Sequence, residues 1–174
     1  MGSVQSGELP PDALLNPYQQ NGAYTDCFYV DLPGVVSQAA YVEAFYTTPV
    51  FKVERLILAA FALKPSTDLQ AKMLAQAQTE HYAAWSVEGR TPNQLLLCDF
   101  LGRTRSWLMT VVDDRSASPV TRLYFGSAFV PAVDRASGRA SYGIAFHALQ
   151  GFHRVYSRVL LKSAMSRLLS LQHG

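Results

Sequence analysis

From residue 81 the hydrophobic pattern of this chain alternates with a period of two as far as residue 130, and one long amphipathic stretch then runs from 141 to 171. Four runs, 81–88, 94–100, 104–113 and 119–130, read as strands. The breaks between them hold Gly89 and Pro92, then Gly102, then Asp114, Ser116 and Ser118, residues that turn a chain rather than extend it. Links this short join antiparallel neighbours. The closing stretch places Phe146, Leu149, Phe152, Tyr156, Val159, Leu160 and Met165 on one face, while Arg154, Arg158 and Lys162 recur every four residues on the other. At 1.5 Å per residue such a helix spans about 45 Å, enough to cross a whole sheet.

The first half supplies one more strand and the helices. Residues 1–22 carry Pro10, Pro11, Asn16-Pro17 and Asn21-Gly22, which predict a loose arm. Residues 24–32 form a strand ended by Pro33-Gly34. Ser37 is the cap expected for a helix with Tyr41, Val42 and Phe45 on one side. Thr48-Pro49 opens a second helix with Val50, Val53, Ile57 and Phe61 inward, and Pro65 stops it. Thr67 and Gln70 have capping-box spacing and open a third, with Leu69, Met73 and Ala77 on its stripe. The predicted class is therefore α+β. Residues 23–172 form a single domain whose antiparallel sheet is covered by the C-terminal helix.

Composition narrows the function classes. At 174 residues and 49% hydrophobic the chain can bury a full core. A formal charge of +2, with neither an Arg-rich block nor a nucleic-acid module, gives no basis for nucleic-acid binding. After Asp134 the basic residues Arg135, Arg139, Arg154, Arg158, Lys162 and Arg167 meet no further acid. Cys27 and Cys98 each sit in an apolar strand-like run, so they read as reduced thiols in a cytoplasmic protein. The apolar run 56–63 is far shorter than the roughly 20 residues of a membrane span. No Gly-rich phosphate loop, paired-cysteine pattern or nucleophile elbow occurs, and no cofactor is implied. His147 and His153 are about 240° apart on a helix and do not share a metal.

Candidate site residues follow from strand register. With turns at 89–93, 101–103 and 114–118, Trp85, Leu97, Trp107 and Phe125 lie in one cross-strand row and Val87, Leu95, Met109 and Leu123 in the next. The same face then carries Ala83, Asp99, Arg105 and Ser127, with His81 one step on. This predicts a carboxylate, a guanidinium and a hydroxyl at the rim of an apolar surface, either a surface ion pair or the polar groups of a pocket.

The segments Tyr24-Thr25-Asp26-Cys27-Phe28, Tyr124-Phe125-Gly126-Ser127-Ala128-Phe129-Val130-Pro131 and Phe146-His147 through Gly151-Phe152-His153-Arg154 resemble the DUF2867 group. The element order is similar to the helix-grip fold of START, Bet v 1 and polyketide-cyclase-like (SRPBCC) proteins. That resemblance implies a hydrophobic cavity between sheet and long helix, and no catalytic residue. The expected function is binding of a small, mostly apolar molecule among Trp85, Trp107, Phe125, Phe146, Leu149 and Phe152, its polar end set by Asp99, Arg105 and Ser127. Two alternatives stand beside it. One is a cyclase- or dehydratase-like enzyme with Asp99 or His81 as general base and Arg105 on an enolate; the other is an interaction module without a ligand, a homodimer included.

Overall fold

The alternating runs become strands of a single seven-stranded antiparallel sheet, in the order β1-β2-β7-β6-β5-β4-β3. The computed structural model describes residues 2–52, 66–115, 118–133, 140–141 and 144–172, the side chains of 132–153 excepted. In chain order the elements are β1 (Gln5–Ser6), α1 (Asn16–Gln20), β2 (Tyr24–Pro33), α2 (Gln38–Tyr46), α3 (Asp68–Ala75), β3 (His81–Tyr82), β4 (Trp85–Thr91), β5 (Gln94–Asp99), β6 (Thr104–Asp113), β7 (Val120–Phe129), β8 (Ala132–Val133), β9 (Ala140–Ser141) and α4 (Ile144–Gln172). The run 81–88 is split in two because Ala83 adopts a left-handed φ of 52°, which no strand continues through. Among the described residues no helix is long and apolar enough to cross a membrane.

The helix starts are those that the side chains dictate. Ser37 accepts from the Ala40 amide at 3.2 Å. Thr67 and Gln70 close a reciprocal capping box, with Gln70 N to Thr67 Oγ1 at 3.2 Å and Thr67 N to Gln70 Oε1 at 2.9 Å. The inward stripe of α3 is nevertheless Ala71 and Leu74, while Leu69 is exposed; the cap sets where the helix begins but not which side meets the sheet. Residues 49–52 are helical as expected, and Val53, Ile57 and Phe61 lie outside the described residues.

Each face of the sheet has its own cover. On one, Phe28, Val30, Leu32, Leu95, Leu97, Leu108, Leu123 and Phe125 pack against α2, α3 and α4. From α4 the core receives Leu160, Leu161, Ala164, Met165 and Leu168. Val159, expected to point inward, is exposed. On the other face, Cys27, Leu96, Trp107, Met109 and Ala128 pack against Ala13 and Leu15, with Leu9, Leu14 and Tyr18 around them. The arm read as loose thus closes the second face. Gln94 ties it down, accepting from Leu14 N at 2.9 Å and donating to Asp12 O at 3.0 Å.

Candidate functional site

The observed turns shift the expected rows. The β5–β6 link holds four residues rather than three, with Gly102 at φ 69°, and pairs Cys98 with Arg105 and Leu96 with Trp107. The β6–β7 link is also longer by one, so Trp107 faces Gly126 and Leu108 faces Phe125. A slip of one residue reverses the face of a strand relative to its neighbour. Between β4 and β5 a bulge at Glu88 moves the pairing to Trp85 with Asp99 and Val87 with Leu97. Trp85, Asp99, Phe125 and Ser127 consequently belong to the helix-facing side, and Arg105 and Trp107 to the arm-facing side. The row expected from the sequence does not assemble. The side chains of Phe146, Leu149 and Phe152 lie outside the described residues.

Asp99 and Arg105 have separate local tasks. Asp99 Oδ1 accepts from Arg103 N at 2.7 Å and Thr104 N at 3.1 Å, so the carboxyl at the end of an apolar strand secures its hairpin turn. Arg105 pairs with Glu88 at 3.0 Å and lies over the Tyr18 ring at 4.6 Å, while the Tyr18 hydroxyl donates to Glu88. Burial and that hydrogen bond push the Tyr18 phenol up. The trio fastens α1 to the sheet. A double-mutant cycle on Asp99 and Arg105 should therefore return a coupling below about 0.5 kcal/mol, and one on Glu88 and Arg105 roughly 0.5–1 kcal/mol; the reverse order, read from urea denaturation, would restore the expected pair. His81 is exposed, with Nδ1 3.2 Å from Ser86 Oγ.

A different polar row occupies the helix-facing side. Asp26, Ser127, Ser106, Leu97 and Val87 are successive cross-strand partners from β2 to β4. Asp26 is 9% exposed, and its Oδ1 accepts from Ser127 Oγ at 2.6 Å and Ser127 N at 3.1 Å. Next along the row Ser106 Oγ lies 3.2 Å from the hydroxyl of the buried Tyr46. One row further toward the sheet end sits Trp85, whose Nε1 is buried without a hydrogen-bond partner among the described residues. On the other side of β2, burial and the neighbouring Asp26 carboxyl push the Cys27 thiol up to about 12. The thiol is a packed apolar group at neutral pH rather than a nucleophile.

The row opens outward beside β1. A cavity of about 280 Å³ borders Asp26, with Thr25 and Phe28 on the β2 wall, Glu8 on the arm and Arg154 and Arg158 on α4. Arg158 stands over the Phe28 ring at 5.5 Å. Register read from the sequence does not reach Asp26, because it starts from the strands after residue 81. The available signal was its place in the alternation of Phe28, Val30 and Leu32, which puts a carboxyl on the inward face of an apolar strand. No protein family, curated protein or solved structure compared with this chain matches it.

Proposed function

We propose that this protein binds a small, mostly apolar molecule on the helix-facing side of its sheet, with the polar end of that molecule set by Asp26, Ser127, Ser106 and Tyr46. The observation that carries this reading is the buried Asp26–Ser127 pair in one row with a second pair of hydroxyls, on a face lined mainly by aromatic and aliphatic side chains. A few convergent polar groups in an apolar setting are what orient a ligand. The Trp85 indole N–H is a further donor in the neighbouring row, and buried donors ordinarily have an acceptor. The likeness to the DUF2867 group and the helix-grip proteins is part of the proposal, supported by the strand, helices, sheet and long helix in that order. The two free cysteines support a reducing compartment such as the cytoplasm.

Native mass spectrometry of the purified full chain tests the reading. The expected spectrum carries a non-covalent small-molecule adduct that Ser127→Ala diminishes while leaving the circular-dichroism spectrum unchanged. Bare protein mass for both forms would overturn it.

A further inference from the structure

Along the seam between the N-terminal residues and α4, a polar hollow and an apolar trough meet at one arginine. The hollow is the 280 Å³ cavity, with Arg154 and Arg158 on its helix wall. The trough, about 490 Å³, begins at the same Arg158 and passes Gly2, Val4, Val155, Val159 and Met165, with Lys162 on its helix wall. Beyond Gly2 and Met165 it continues as a second apolar stretch between Leu32, Pro33, Val120 and Leu169. Val155 and Val159 are 62% and 43% exposed, so the trough presents two β-branched side chains to water, one helical turn apart.

The charges beside it are as uneven as its polarity. Between Ile144 and Gln172 the helix contains no Asp or Glu, and Arg154, Arg158 and Lys162 follow one another at four-residue spacing, where like charges repel. Among the described residues none of the three has an ion-pair partner, Glu8 across the hollow included. Arg158 is steadied over the Phe28 ring. The hollow end of the seam holds Glu8 and Asp26 beside the two arginines, yet among the described residues neither carboxylate forms an ion pair with Arg154 or Arg158, and the rest of the seam lacks an apolar cover.

From this geometry we infer that the seam binds a free long-chain carboxylate, its head on Arg154 and Arg158 and its alkyl tail laid past Val155, Val159 and Met165 toward Leu169. From Arg158 to Leu169 the helix rises about 16 Å at 1.5 Å per residue. An extended alkyl chain advances about 1.3 Å per carbon, given bond lengths near 1.5 Å, so a tail of roughly a dozen carbons reaches the far end. The trough is walled on its other side by Gly2, Val4 and the end of β2, a concave shape that suits a single chain. This site goes beyond the polar-row reading and shares only Asp26 with it.

Titration calorimetry of the full chain with octanoate, decanoate and dodecanoate, each below its micelle concentration, tests the inference. Kd should fall by roughly two- to fourfold per added methylene, the upper figure being about 0.8 kcal/mol for a fully buried one. Dodecyltrimethylammonium should bind at least tenfold more weakly than dodecanoate. Val159→Asp should abolish binding, the Arg154→Ala, Arg158→Ala double variant should weaken it at least tenfold, and Ser127→Ala should leave it unchanged; all three positions on α4 are exposed and their substitution should leave the melting temperature in place. Affinity independent of tail length, equal binding of the cation, or indifference to Val159→Asp overturns the inference. So does attachment to anionic phosphatidylserine vesicles without any binding of dodecanoate. Loss of dodecanoate binding in Ser127→Ala alone would move the ligand to the polar row, sinking the seam and sparing the proposed function, whereas the adduct experiment decides that function whatever the titrations give.

Discussion

Trp107→Ala should lower the stability of this protein by about 3–5 kcal/mol, the range for removing a large aromatic side chain from a packed core. For a chain of this size that is a fall of roughly 6–20 °C in melting temperature. The indole is 0% exposed and packs among Leu15, Leu96, Met109 and Ala128 on the arm-facing side of the sheet. Its Nε1 donates to Gln94 Oε1 at 2.9 Å, the same oxygen that receives the Leu14 amide. The substitution therefore opens a cavity directly under the arm, and new protease cleavage should appear between residues 8 and 20 before the sheet itself unfolds. Arg154→Ala, on the exposed side of α4, should change stability by less than about 0.5 kcal/mol. Equal shifts for the two variants, or cleavage in α4 rather than in the arm, would show that Trp107 supports the helix instead.

Gly126→Val should be of similar severity, for the opposite reason of too much volume. A Cβ at this position would stand 2.8 Å from Asp26 O, 2.9 Å from Trp107 Cε3 and 3.2 Å from Leu15 Cδ2. The first of those atoms is sheet backbone and has nowhere to go. Overpacking costs typically 1–3 kcal/mol and occasionally more, and two further methyl groups place valine at or above the upper end of that range, with alanine within it. Gly102→Ala is the informative control. Gly102 has φ 69° and open space around it, so its cost is backbone strain alone, about 1–2 kcal/mol. Urea denaturation of the variants ranks them, and a Gly126→Val no worse than Gly102→Ala would mean that the sheet yields at that contact.

The residues whose meaning is local are legible in the sequence alone. Ser37 and the Thr67–Gln70 pair announce helix starts because a cap is defined within four residues of chain. The strand runs were readable because alternation is a property of each run by itself. What connects one run to the next was not. Register depends on whether a turn holds three residues or four, and Asp99, which bonds to the Arg103 and Thr104 amides, decides that through contacts invisible to periodicity. The faces of Arg105 and Trp107 were lost with it. The arm looks loose in the sequence because its prolines and Asn16 hide the few apolar residues, Ala13 and Leu15 foremost, that reach a partner far along the chain. Asp26 belongs with these. Its inward face was legible, but its partner Ser127 came into view only once β2 was paired with β7.

That pairing also governs the order in which the sheet is assembled. β3 to β7 form a meander of adjacent hairpins, each closing a short loop, whereas β2 finds its place only by joining Tyr24 with Phe129 through to Pro33 with Val120, roughly a hundred residues away. Contacts of such span are slow to form, since loop entropy is lost before any contact is gained. During synthesis the apolar strand containing Cys27, Phe28, Tyr29 and Val30 emerges early and must wait, unpaired, until β7 has been made. An exposed strand of that kind is a template for pairing with another chain. The two-residue β1 pairs with Tyr29 and Phe28 along the opposite edge of β2, so the edge that awaits β7 gains no cover from it and is the stretch of the nascent chain most open to aggregation.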